Sequence, residues 1–362
     1  MTAKELKEKL NSLNESKTKP HGLPRIMTQA QAVMQNKEYI RKRASGELVF
    51  LNTCYDRLNK ALMLEPNTIL TISGLSGGGK STLSKRISNS IHENLMKAGH
   101  SSFGLSFNFE MLAQKTIGRE IANMGKISLQ ELYSSEHPLA ASKMEMIFKK
   151  YHSQLFDYPL LYVEEPQDHK VIGNTIYYYW KELCKEGEYL IVEIDHAVIT
   201  KGLTGDNQKD KVDNLMETLN GVKKKIAYEG GNVFFIVLSQ MNRDIKKIER
   251  IQIPNMHYPI SSDLMASSSC EFFSDYIMFT HMPAKLNLKG YTDHNFPIRL
   301  NSGDDEIEFI YWHIVKNREG IPDQIIPMLN NLKYFDFAEV DLDDFESYCN
   351  DFKNTGKCTI KN

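Results

Sequence analysis

Short runs of consecutive apolar residues recur along this chain at 68–73, 102–107, 159–163, 189–194, 233–238, 276–280 and 307–315, bounded by polar or turn-forming residues. Runs of this length, rich in β-branched and aromatic side chains, predict strands buried on both faces. Between most of them the apolar positions return at helical spacing, as in 81–98, which stops at Gly99, and 211–228, which stops at Gly230 and Gly231. This alternation predicts an α/β fold over residues 45–333: a mostly parallel twisted sheet with helices on both faces and a C-terminal hairpin extension.

The two ends carry opposite charge. Residues 1–44 hold ten Lys/Arg against four Glu, with Pro20, Gly22 and Pro24 before a helix-like stretch at 28–43 whose apolar positions Ile26, Ala30, Val33, Met34 and Ile40 fall roughly on one face. We expect a basic arm and a helix suited to docking on another surface. Residues 334–352 hold seven Asp/Glu and no Lys or Arg, so 334–362 is expected to be a solvated, partly disordered acidic tail.

Composition narrows the function classes. An apolar fraction of 41% with 25% charged residues excludes wholesale disorder, and a net charge of −2 over 362 residues means that any nucleic-acid surface must be local. Five scattered cysteines with no CxxC pair and no metal-ligand spacing to histidine predict reduced thiols in a cytoplasmic protein. The longest apolar stretches fall far short of the roughly 18 residues a membrane span needs, and the charged start is no signal peptide.

Gly74, Leu75, Ser76, Gly77, Gly78, Gly79, Lys80 and Ser81 satisfy G-x-x-x-x-G-K-[ST] between a predicted strand and a predicted helix. Residues without side chains let successive backbone N–H groups curl round a β-phosphate, and the helix N-terminus adds its positive dipole end. Lys80 is expected to reach the β- and γ-phosphates of ATP and Ser81 to ligate Mg²⁺, with Thr82 next in the loop.

Carboxylates at strand ends are the candidates for holding metal and water. Asp195 closes the run at 189–194, where an acid can bind Mg²⁺ or simply cap the next element. Glu193 lies on the same strand face and reads either as a second acid or as a strand-edge residue facing solvent or a lysine. Glu110 follows the run at 101–109, and the residues alone leave two roles open: activating water, or favouring a helix dipole in the first turn. Gln240 stands at the tip of the strand at 233–238, as a γ-phosphate sensor or a solvated loop residue.

The order of these pieces resembles the ATPase domain of the DnaB-type replicative DNA helicases, a RecA-like P-loop NTPase family that forms hexameric rings. The matching segments run from LMLEPNTILTISGLSGGGKSTL through LSFNFEML, DYPLLYVEEPQ, LIVEIDHA, VFFIVLSQMNRD and ISSDLMASSSCEFFSDYIMF to IVKNREGIPDQIIP. The resemblance implies that Lys80 and Ser81 are the Walker A lysine and hydroxyl, Asp195 the Walker B acid and Glu110 the water-activating glutamate. It implies that Gln240 couples the γ-phosphate to DNA-side loops, and that Lys316 and Arg318 act in trans on a neighbour's ATP as a basic finger. Single-stranded DNA, a homo-hexamer and a loader or other replisome protein are the implied partners.

The departures from the family pattern matter as well. After Ser-Asp-Leu, Met265 and Ala266 replace the usual charged pair and Ser268 stands where glycine is usual, so phosphate contact there falls to backbone N–H groups. Arg243, Lys246, Lys247 and Arg250 are the expected substitutes, with Lys201 and Lys209 as weaker candidates. His196 replaces an aromatic and reads as a loop-capping histidine. Some 45 residues precede the ATPase region, enough for an arm and linker helix but not for the family's separate N-terminal domain, so primase binding in the usual way is not implied.

Two function classes follow. One is an ATP-driven ring that translocates on single-stranded DNA and unwinds duplex in replication, in a compact form suited to a phage. The other is a RecA-like ATP switch that assembles on DNA or protein as a clamp, loader or recombination factor without unwinding. A scaffold with residual nucleotide binding is disfavoured by the intact set Lys80, Ser81, Asp195 and Glu110.

Overall fold

Six of the apolar runs become neighbouring parallel strands in a computed structural model, which describes residues 8, 26–151, 159–185, 187–197, 200–202, 207–265, 267–302 and 305–359. They are β1 (Thr68–Gly74), β2 (Ser102–Asn108), β3 (Leu160–Val163), β4 (Tyr189–Asp195), β5 (Asn232–Leu238) and β6 (Tyr276–His281), in the order β6-β1-β5-β4-β2-β3. β7 (Arg299–Ser302), β8 (Asp305–Asn317), β9 (Gln324–Asn331) and β10 (Asp336–Glu339) extend the β6 edge as an antiparallel set. The helices are α1 (Gln29–Ser45), α2 (Asp56–Ala61), α3 (Lys80–Lys97), α4 (Ala113–Gly125), α5 (Leu129–Leu132), α6 (Ala141–Tyr151), α7 (His169–Leu183), α8 (Gln208–Tyr228), α9 (Ile248–Gln252), α10 (Ser267–Phe273) and α11 (Leu342–Thr355).

Covering both faces of the sheet explains why β4 and β5 read as unbroken apolar runs rather than alternating ones. Each is buried at all but one residue. Phe107, Ile194, Phe235 and Val237 from the strands meet Ile172 and Ile176 of α7 and Leu215 and Leu219 of α8 in one core. Parallel pairing brings the C-terminal ends of β1, β2, β4 and β5 to one edge, the edge where ligands settle in open sheets of this kind.

Contacts divide the chain into two units, Met1–Phe50 and Leu51–Asn362, so the division falls later than the expected 44/45. In the first unit α1 begins at a capping box between Thr28 and Gln31 and ends at Gly46, whose φ of 77° suits glycine. It has no buried residue, and Ile26, Val33, Met34 and Ile40 are all exposed.

The acidic stretch is folded, against the expectation of a solvated and partly disordered tail. β10 pairs with β9 through Ala338 and Leu329, and α11 lays Phe345, Tyr348 and Phe352 on a cluster containing Phe309, Tyr311 and Val340. These aromatic positions sit at helical spacing among the acids, and the burial they provide outweighs the local charge density. Asp341, Asp343, Asp344 and Glu346 stay exposed, whereas Asp336 is drawn into ion pairs with Arg86 at 3.2 Å and Lys126 at 2.8 Å. Among the described residues, no helix is long and apolar enough to cross a membrane.

Candidate functional site

The phosphate loop joins β1 to α3 and needs glycine at two places for stated reasons. A Cβ on Gly74 would stand 2.5 Å from the Thr280 carbonyl oxygen of the neighbouring strand, and Gly79, the residue before α3, has φ of 85° with Phe337 within 2.7 Å of where its Cβ would be. Thr280 fastens the loop from the other side by donating its hydroxyl to the Gly78 carbonyl at 2.6 Å. Lys80 Nζ rests on the carbonyls of Gly74 and Leu75 at 3.1 and 3.3 Å. Burial lowers its pKa, while Asp195 and Glu110 oppose that shift.

Ser76, Gly77, Gly79, Lys80, Ser81, Thr82, Glu110, Asp195, His196 and Gln240 line one cleft of about 350 Å³, a volume suited to a small ligand. Glu110 follows β2, Asp195 ends β4 and Gln240 follows β5, so three separate strands deliver polar side chains to the same edge. Asp195 accepts a hydrogen bond from Ser81, and burial pushes its pKa up to about 6. Its Oδ1 is buried with no hydrogen-bond partner. An under-coordinated carboxylate oxygen beside a serine hydroxyl is the donor set a hard cation takes, and Ser81 and Asp195 therefore fit Mg²⁺. Among the described residues no group of three or more His, Cys, Asp or Glu is placed to hold a metal ion.

His196, expected to cap its loop, also lines the cleft. Its Nε2 lies 3.8 Å from Glu110 Oε2, and burial lowers its pKa, favouring the neutral ring, while Glu110 opposes that shift. Glu193 is buried in the middle of the sheet and not at a strand edge; it accepts from Lys85 Nζ at 3.0 Å and Ser84 Oγ at 2.9 Å, both on the helix that follows the phosphate loop.

Lys316 and Arg318 are elsewhere. Asn317 pairs with Tyr276 at the start of β6, whereas Gly74 pairs with Thr280 near its end. At about 3.3 Å per strand residue, the two cations stand well over 10 Å from the phosphate loop of their own chain. They line a second cleft with Lys223, Lys224, Ser268 and Phe272.

The residues expected to face DNA divide. Arg243 and Lys246 are exposed in the turn after β5, and Lys247, also exposed, pairs with Asp244 at 3.0 Å. Arg250 is not available for phosphate: its side chain is 11% exposed, pairs with Asp263 at 2.5 Å and donates to the Met256 carbonyl at 3.0 Å. The cation that looked like a DNA contact holds the 243–263 segment together. Ser268 is exposed on α10, and Ala266 lies outside the described residues. Lys201 pairs by its backbone with Asp168 and Gln167.

Two residues of the cleft were not singled out from the sequence. Arg119 on α4 and Phe335 just before β10 both line the phosphate-loop cleft, with the guanidinium 5.5 Å from the ring centroid. The cation faces the ring directly, a cation–π contact at the rim of the cleft. Arg119 could have been suspected from its place on the helix after Glu110, but Phe335 belongs to a stretch that reads as tail.

Comparison with known proteins agrees with this geometry. Residues 50–339 match the family model for the DnaB-like helicase C terminal domain. A solved ATPase domain superposes with a TM-score of 0.68 at 16% identity, covering 88% of this chain and 100% of that one. A DnaB-like replicative helicase, whose structure was described with its interactions with primase, superposes with a TM-score of 0.64 at 17% identity, covering 94% of this chain and 72% of that one. No curated protein matches the sequence. At these identities the superpositions establish the RecA-like fold, while the family match spans most of the chain together with its phosphate loop, and on that ground the protein belongs to the DnaB-like helicase family and is an ATP-hydrolysing helicase of that type.

Proposed function

We propose that the protein is a ring-forming motor that translocates on single-stranded DNA and unwinds duplex during replication, with ATP hydrolysed at the boundaries between subunits. The observation that carries this reading is the separation of the chemistry into two edges. Lys80, Ser81, Asp195, Glu110 and Gln240 share one cleft, whereas Lys316 and Arg318 share another at the opposite edge. Cations so placed are useless to their own nucleotide and well placed for a neighbour's in a head-to-tail ring, for which six subunits are the family expectation.

In this scheme Glu110 takes a proton from water as its oxygen attacks the γ-phosphorus, and the bond from phosphorus to the ADP oxygen breaks. Lys80 and the loop N–H groups hold the phosphates in place, and Lys316 and Arg318 of the adjacent copy stabilise the charge on the transferring group. Ser81 and Asp195 would hold Mg²⁺, which would supply charge neutralisation to the phosphates when bound. The exposed apolar side chains of α1 suit packing on another subunit, and Arg243 and Lys246 suit the DNA backbone. Reduced thiols suit a cytoplasmic setting, with a loader or other replisome protein as a further partner.

Strand displacement on a forked duplex with ATP tests the proposal. The wild-type chain is expected to release the strand, and Lys80→Ala to lose both displacement and ATP hydrolysis. DNA-stimulated hydrolysis with no displaced strand would favour the ATP switch, a reading for which Met265 speaks because it leaves the DNA-side loop without the usual charge.

A further inference from the structure

Arg318 is held by more than its place in a turn. Its backbone N–H donates to the Asp275 carbonyl at 3.0 Å, and its NH1 pairs with Asp275 Oδ1 at 3.0 Å. Asp275 is itself fixed from the other side. Its Oδ2 accepts from the Ile69 backbone N–H at 2.8 Å and from Lys223 Nζ at 2.7 Å, and both side chains of that ion pair are under 10% exposed. One carboxylate oxygen is thus committed to the strand β1 and the helix α8, and the other is turned to the guanidinium.

The last turn of α10 completes the arrangement. Lys316 Nζ donates to the Glu271 carbonyl and Arg318 NH2 to the Phe272 carbonyl, two of the carbonyls that a helix C-terminus leaves without internal partners. A guanidinium has five donors, and the Arg318 side chain is 49% exposed, so these contacts aim it while leaving donors for an outside anion. Holding the fork in one orientation removes an entropy cost that a free arginine would meet on every turnover.

We infer that Asp275 is a positioning residue for the trans-acting Arg318, and that the same contacts tie the finger to α10, the helix that carries Ser268 beside the DNA-side loop. The inference rests on the proposal that Arg318 serves a neighbour's nucleotide. A shift of α10 moves the two carbonyls on which Lys316 and Arg318 rest, which gives the DNA-side loop of one subunit a route to the ATP site of the next.

Mixed assemblies test this and separate it from a loss of folding. Asp275→Asn alone is expected to lower kcat for ATP about tenfold with KM unchanged, because nucleotide binds to the other edge of the chain. Mixed with an equal amount of Lys80→Ala, it should regain hydrolysis, since about one boundary in four then joins an intact phosphate loop to an intact finger in a randomly mixed ring. Arg318→Ala mixed with Lys80→Ala is the reference and should regain a similar amount. The double variant Lys223→Met with Asp275→Asn avoids a buried unpaired lysine and should behave as Asp275→Asn does. Full activity of Asp275→Asn overturns the inference, as does an inactive Asp275→Asn and an inactive double variant that fail to complement where Arg318→Ala succeeds. Failure of the Arg318→Ala mixture as well overturns the trans-finger reading on which it stands.

Discussion

The backbone N–H of Met265 donates to the carbonyl of Gln240 at 2.9 Å, and the next residues, Met241 and Leu264, form an antiparallel bridge. Gln240 thus lines the phosphate-loop cleft with its side chain and holds the 264–265 segment with its backbone. Gln240→Ala keeps the backbone bond and removes the amide that lines the cleft, the group proposed to sense the γ-phosphate. Basal hydrolysis should stay within about tenfold of wild type, while stimulation by single-stranded DNA should be lost. Steady-state rates with and without an oligonucleotide check this, and retained stimulation would remove Gln240 from the coupling route.

Glu110 and His196 predict a graded pair of effects. Glu110→Gln should cut kcat by about a hundredfold or more, the scale of a lost general base, with binding of a fluorescent ATP analogue nearly unchanged. His196→Ala should cost much less, because an imidazole 3.8 Å from Glu110 can orient that carboxylate but is too far for a direct hydrogen bond. If both substitutions cost the same, His196 touches the reacting water itself.

Arg250 should behave as a structural residue and Arg243 and Lys246 as surface cations. Arg250→Ala leaves Asp263, which is 2% exposed, as a buried unpaired charge, and should destabilise the fold by about 3–5 kcal/mol in urea unfolding. Arg243→Gln with Lys246→Gln should leave stability unchanged and flatten the salt dependence of single-strand affinity by roughly 0.7 per lost phosphate contact. An unchanged slope would place the DNA surface elsewhere.

Acid should destabilise the protein through its buried histidines. Burial lowers the pKa of His92 and of His281 to about 3, and that of His313 well below the ordinary value. The unfolded chain takes up these protons below about pH 6.5 and the folded chain does not, so stability is full above that value and falls as pH drops toward 3. At pH 5 His92 and His281 should each cost roughly 2 kcal/mol, and His313 acts in the same direction. Urea midpoints at pH 7.5 and pH 5 measure the loss, and equal midpoints would mean that these rings accept protons in the fold.

The strands and the phosphate loop were readable in the chain because their causes are local. An apolar run such as 233–238 has one way to satisfy its backbone and bury both faces, and Gly79 followed by Lys80 and Ser81 carries its geometry in adjacent residues. The acidic stretch misled for the converse reason: its charge is plain in the sequence, but whether Phe345, Tyr348 and Phe352 find a surface depends on β8 and β9 being there. Arg250 misled similarly, because a cation near other cations looks solvated until Asp263 is brought beneath it.

The fold and the edge that carries the phosphate loop were legible in the sequence through hydrophobic periodicity and a motif whose parts lie side by side, and the family through the resemblance of its ordered segments. Only the tertiary structure decided which charges are spent and which are free. Asp263 takes Arg250 out of the DNA surface, Asp275 aims Arg318, and Phe335 joins Arg119 across most of the chain's length. Each of these pairs depends on strand order and on burial in a low dielectric, where a partner changes a charge from a cost into a fixed tool.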